Sequence, residues 1–70
     1  MEWIDTPESS NIARFAYDKG SSVLSIEFKK GGNYQYFDVQ EAVFESMKSA
    51  DSKGEYFAQN IKGVFRYARA

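Results

Sequence analysis

Apolar and polar positions alternate with a period of two in the first half of the chain and recur at helical spacing in the second. In residues 11–17, Ala13, Phe15 and Tyr17 fall on one side and Ile12, Arg14 and Ala16 on the other, the mark of a half-buried strand. Asp18-Lys19-Gly20-Ser21 supplies a turn, and the return strand over 23–28 sets Leu24, Ile26 and Phe28 toward a core, with Ser25 and Glu27 facing away. A second turn, Lys29-Lys30-Gly31-Gly32-Asn33, leads into a third strand carrying Tyr34 and Tyr36. If Gly31 and Gly32 form a two-residue turn, Glu27 and Lys29 lie opposite Tyr36 and Tyr34, both rings face solvent, and Phe37 joins the core. A loop one residue longer or shorter sets Phe28 opposite Tyr34 and Ile26 opposite Tyr36, and turns both rings inward. The pattern supports both registers.

Asp38 followed three residues later by Glu41 has the spacing of a capping box, and Val39, Val43, Met47 and Ala50 then recur at helical intervals with Phe44 alongside. Ser52 and Glu55 repeat the signal ahead of a second helix over about 53–62, with Phe57 and Ile61 inward and Gly63 ending it. Residues 1–10, with Trp3, Ile4 and the single proline Pro7, predict an extended lead-in whose two apolar side chains cover an edge of the core. Residues 63–70, where Phe65 and Tyr67 flank Arg66, predict either a short C-terminal strand or a loose basic end. The expected architecture is one α+β domain: the lead-in (1–10), a three-stranded antiparallel meander (11–37), two short helices packed on one face (39–62) and a basic tail (63–70).

Composition narrows the chemistry. A chain of 70 residues buries only about 60% of its unfolded surface, so its Trp, six Phe and five Tyr are needed to raise buried area. The sequence holds neither Cys nor His, which removes the usual zinc sites, thiol nucleophiles and imidazole bases and predicts a non-enzymatic protein without metal or cofactor. Asp38, Glu41, Asp51 and Glu55 all stand at predicted helix starts, where capping accounts for them. Lys29-Lys30-Gly31-Gly32 has the wrong order and setting for a phosphate loop. With no leader signal and no long apolar run, the expected setting is cytoplasmic, with no membrane contact.

Net charge is −1 but unevenly spread: residues 1–51 sum to −4 and residues 52–70 to +3. Two tyrosines on one strand face stand about 6.6 Å apart, near the spacing of unstacked bases. Tyr34 and Tyr36, with Lys29, Lys30, Lys62, Arg66 and Arg69 for phosphates, are therefore the candidate RNA-binding residues. The alternative is a protein partner or a second copy of the chain on an uncovered, tyrosine-rich sheet face. Oligomeric state is left open.

Several stretches together resemble a known family: Ser9-Ser10-Asn11-Ile12, Tyr17-Asp18, Leu24-x-Ile26-x-Phe28, Gly32, Tyr34-x-Tyr36-Phe37-Asp38-Val39, residues 50–54, Tyr56-Phe57 and Ile61. The chain is similar to the KTSC domains, small bacterial domains that also occur at the C-terminal end of some lysyl-tRNA synthetases. The resemblance implies a single domain with Tyr-x-Tyr as its signature and no assigned activity, and the synthetase setting favours RNA over protein as partner. Gln40 departs from the proline that commonly follows the valine. Ala58 and Asn60 stand where the second helix more often has Asn and His, so any activity resting on that pair is absent here.

Overall fold

Each strand of the sheet pairs only with its neighbours in sequence, which gives five antiparallel strands in the order β1-β2-β3-β4-β5. The computed structural model describes residues 2–70: β1 Trp3–Asp5, β2 Ile12–Asp18, β3 Val23–Phe28, β4 Gly32–Tyr36, α1 Glu41–Ser49, α2 Lys53–Asn60 and β5 Tyr67–Arg69. The expected three-stranded meander is the middle of this sheet, and a three-residue strand is added at each edge. Three residues are too few to show a period, so β1 was hidden within the lead-in. Its pairing sets Ile4 opposite Phe15 and Trp3 opposite Ala16, and Thr6, fully buried, donates its hydroxyl to the Ile12 carbonyl at 2.6 Å.

Two departures re-aim side chains. Ile12 pairs with Phe28 and Arg14 with Glu27, so Ala13 is an extra residue, a bulge. The bulge carries Ile12 to the side of Phe15 and buries it completely, whereas unbroken alternation had put it on the other face. In the second hairpin Phe28 pairs with Gly32, which leaves a three-residue loop, Lys29–Gly31, followed by Gly32 at φ +82°. A positive φ after a three-residue loop is a conformation that glycine adopts without strain. An odd loop turns both tyrosines inward, the second of the two expected registers. The pairs are shifted by two from that expectation, with Tyr34 opposite Ile26 and Tyr36 opposite Leu24.

The expected Asp38 cap is not made. Asp38 takes φ +59°, exposed, and α1 begins at Glu41 behind Gln40, which makes no side-chain capping bond. The chain must drop from the sheet to bury Val39 fully, with the Val39 N–H donated to the Ser22 carbonyl at 3.0 Å and its carbonyl accepting from the Tyr17 hydroxyl at 2.6 Å. Aspartate tolerates the left-handed conformation that this descent requires. Ser52 does cap α2 as expected, its hydroxyl accepting from the Glu55 N–H at 3.2 Å.

Both helices lie against one face of the sheet. The core there comprises Ile12, Phe15, Leu24, Ile26, Tyr36, Val39, Met47, Phe57 and Ile61. The opposite face carries Trp3, Arg14, Ala16, Ser25, Glu27, Gln35 and Ala68 by register and has no tyrosine among the described residues. Arg14 covers the Trp3 ring at 4.3 Å and bonds Glu27 at 2.9 Å. No helix is long and apolar enough to cross a membrane among the described residues.

Candidate functional site

Of the two inward-facing tyrosines, Tyr36 meets Phe57 of α2, and between the helix and strands β3 to β5 a cleft of about 490 Å³ remains. Phe28, Tyr34, Tyr36, Phe57 and Tyr67 form its aromatic wall. Phe57 sits edge-on to Phe28 at 5.5 Å and to Tyr36 at 5.4 Å, while Tyr67 on β5 leans over Tyr34 at 5.8 Å and Tyr36 at 5.7 Å. The alternation that carries Tyr34 and Tyr36 inward carries Tyr67 and Arg69 with them, because Tyr36 pairs with Tyr67 and Tyr34 with Arg69. Tyr36 is only 5% exposed, whereas Tyr67 is 58% exposed and offers a ring face to solvent.

The hydroxyls of this cluster make no hydrogen bond within the protein among the described residues, and no buried side-chain polar atom is left unpartnered, so they reach the cleft. Burial, and then the neighbouring Tyr67 and Tyr34, push the Tyr36 phenol above its ordinary value of 10.0. The site holds three phenol hydroxyls, each of which can both donate and accept hydrogen bonds.

Charge is sorted across the molecule. Of the nine Lys and Arg residues, six have partners: Arg14, Lys19, Lys48 and Arg66 pair with carboxylates, and Lys29 and Lys53 bond backbone carbonyls. The other three, Lys30, Lys62 and Arg69, have neither an ion pair nor a hydrogen bond from the side chain among the described residues, and all three lie around the cleft. Lys62 lines it. Arg69 stands 6.0 Å over the Tyr34 ring and against Gly32, where a Cβ would come within 3.4 Å of its guanidinium. Lys30 lines an adjoining groove at the tip of the β3–β4 hairpin. No Asp or Glu among the described residues lines the cleft.

The structure thus brings together Tyr34, Tyr36, Lys62 and Arg69, with Lys30 next to them. Two other candidates lie elsewhere. The Lys29 ammonium is held by the carbonyls of Pro7 and Ser9, which ties the hairpin tip to the lead-in. Arg66 lies 5.1 Å over Phe37 on the helix-free side and pairs with Asp38 at 3.8 Å. Sequence reasoning missed Phe28, Phe57 and Asn11 as lining residues, and Tyr67 as a wall. For Tyr67 a signal existed: Phe65, Tyr67 and Arg69 keep the period of two that marked Tyr34 and Tyr36. No group of acidic, His or Cys side chains placed to hold a metal occurs among the described residues.

Comparison with known proteins agrees with this geometry at the level of fold and family. The KTSC domain profile matches residues 8–65. A crystal structure of a KTSC domain protein from Yersinia pestis superposes with a TM-score of 0.94 at 35% identity, covering 99% of this chain and 96% of that one. A lysine–tRNA ligase of Nostoc punctiforme is 43% identical over 61 residues, 87% of this chain but only 11% of the ligase. A protein of Tsukamurella paurometabola is 34% identical over 59 residues, 84% of this chain and 88% of its own length. The chain therefore spans about a tenth of the ligases it matches and nearly all of the smaller relative.

Proposed function

The chain belongs to the KTSC domain family, and from the cleft of this member we propose a non-enzymatic binding module that takes single-stranded RNA, one base entering between β5 and α2. One observation carries the reading: among the described residues, the cations left without partners lie around the aromatic cleft, and no carboxylate lines it. The exposed Tyr67 ring, with the half-buried Tyr34 beside it, supplies a surface for a base, worth about 1–3 kcal/mol per stacked base. The phenol hydroxyls supply donors and acceptors for the base edge, and Lys62 and Arg69 supply charge for the flanking phosphate.

This differs from a platform on which Tyr34 and Tyr36 each stack a base. Both rings face the helices, and Tyr36 is covered by Phe57 and Tyr67, so the tyrosines act together on a single guest. With a net charge of −1, affinity is expected to be modest and to fall steeply with salt. The lysine–tRNA ligase relatives place a similar domain in proteins named for a tRNA, which favours the same reading. A protein partner on the helix-free face has less support, since that face lacks the tyrosines that suggested it.

The test is an NMR titration of labelled protein with short single-stranded RNA, first at low and then at moderate salt. Salt-sensitive shifts gathered on Tyr34, Tyr36, Lys62, Tyr67 and Arg69 are expected. Silence at low salt, where electrostatic binding is strongest, would overturn the reading.

A further inference from the structure

We infer that the cleft continues past Asn11 into a second subsite at the hairpin tip, which takes the adjacent nucleotide of the same strand with its phosphate on Lys30. The inference rests on the RNA reading above and extends its footprint beyond one base.

The two hollows adjoin, with three lining residues in common. The groove at the tip shares Asn11, Phe28 and Gly31 with the cleft and adds Ser10, Lys29 and Lys30. Lys29 lines it but is fixed to the Pro7 and Ser9 carbonyls, so Lys30 is its available cation. A third hollow also meets Asn11 and runs toward the start of α2, but Glu8 and Glu55 line it. A polyanion leaving the cleft meets carboxylates along one branch and an unpartnered ammonium along the other.

Asn11 lines both hollows, and a hydrogen bond from Ser9 orients its side chain. The Ser9 hydroxyl accepts from the N–H groups of Asn11 and Ile12, so its own proton is donated to Asn11 Oδ1, at 3.0 Å. Oδ1 also lies where a Cβ on Gly54 would come within 2.8 Å of it, so the amide can approach α2 only because residue 54 is glycine. With Oδ1 turned to Ser9 and Gly54, the Asn11 Nδ2 group makes no hydrogen bond within the protein among the described residues. It is an available donor on a residue that lines both hollows. Asn11 therefore acts as a recognition residue for the sugar–phosphate link, and Lys30 as the cation for the second phosphate.

The experiment compares adenosine 5′-monophosphate, which fills the cleft alone, with hexa-adenylate, using native protein and Lys30→Ala. Lys30 is exposed on a hairpin loop, so the substitution leaves the fold intact. Hexa-adenylate should shift the amides of Ser10, Lys30 and Gly31 in addition to those of the cleft. Lys30→Ala should weaken hexa-adenylate binding and flatten its log-affinity against log-salt slope by about 0.7. The native-to-variant affinity ratio should accordingly fall by about threefold between 50 and 200 mM salt, while monophosphate binding stays unchanged. If both ligands move the cleft but Lys30→Ala binds hexa-adenylate with native affinity and slope, the second subsite is wrong and the single-base reading survives. If neither ligand moves the cleft, both fall.

Discussion

The sheet carries two aromatic clusters on its helix-covered face, built from the same residue types and finished in opposite ways. Over β2, under α1, Tyr17 stacks on Phe44 at 5.0 Å, Phe15 meets Phe44 edge-on at 5.9 Å, and Lys48 lies over Phe44 at 5.2 Å. The hydroxyl of Tyr17 is satisfied by the Val39 carbonyl. Over β4 and β5, beside α2, the rings also meet edge-on and tilted, but the hydroxyls of Tyr34, Tyr36 and Tyr67 have no hydrogen-bond partner among the described residues. Aromatic content therefore does not separate core from site here. What separates them is whether each polar atom has found its bond within the protein, since a sealed cluster must satisfy its hydroxyls and a receptive one keeps them available.

The contrast can be broken most forcefully by truncation. Phe15→Ala in the sealed cluster should cost about 3–5 kcal/mol, enough to unfold much of so small a domain, as measured by chemical denaturation. Tyr67→Ala in the receptive cluster, more than half exposed, should cost under about 1 kcal/mol yet abolish RNA-dependent shifts. Equal destabilisation by the two would make the second cluster ordinary core.

A middle-sized effect tests the back wall of the receptive half. In an exposed helix Gly→Ala stabilises by roughly 1 kcal/mol. Gly54→Ala should do the reverse and destabilise by about 1–3 kcal/mol, because the new methyl meets Asn11 Oδ1 at 2.8 Å and Ser9 Oγ at 3.1 Å. Thermal melts give the sign directly.

The smallest effects sharpen the comparison at single atoms. Tyr17→Phe should cost about 1–2 kcal/mol at neutral pH, since it strands the carbonyl of the buried Val39. Tyr36→Phe removes no internal bond and should change stability by less than about 0.5 kcal/mol under the same conditions. At alkaline pH it should matter more. Because the Tyr36 phenol is held above its ordinary 10.0, the unfolded chain loses that proton first. The stability contributed by the neutral phenol is complete below pH about 10 and is lost as pH rises from there through the folded value. Denaturation curves across that range should show a shallower alkaline decline for Tyr36→Phe than for the native chain.

Much of this was legible in the sequence, and the exceptions share a cause. Leu24, Ile26 and Phe28 alternate without interruption and lie on the helix side as read. Ser52 caps its helix because the cap is a local arrangement of four residues. The pattern falls short where one residue of slip changes the answer: the extra Ala13 carries Ile12 across against the expected alternation, and the hairpin loop, compatible with two registers, has the odd length that turns Tyr34 and Tyr36 inward. Asp38 has the spacing of a cap, but burying Val39 placed the helix start beyond it. The site was half legible. Tyr34, Tyr36, Lys62 and Arg69 were identifiable by type and by the local excess of positive charge. Which cations would be neutralised by partners is a property of tertiary contacts, and Lys29, held by carbonyls twenty residues or more away in sequence, illustrates why no local pattern reveals it.

The placement of β5 has a consequence in time. The β3–β4 hairpin closes over three residues, whereas β5 reaches β4 only after the 30 residues from 37 to 66. A loop roughly tenfold longer raises the closure cost by on the order of 2 kcal/mol, and only three residues of pairing return it. Tyr67 is therefore expected to be the last wall to arrive during folding and the first to leave in a local opening. A guest held between Tyr67 and Lys62 acts as a clasp on that late strand, so binding should be read most clearly in how slowly the Ala68 and Ala70 amides exchange with water.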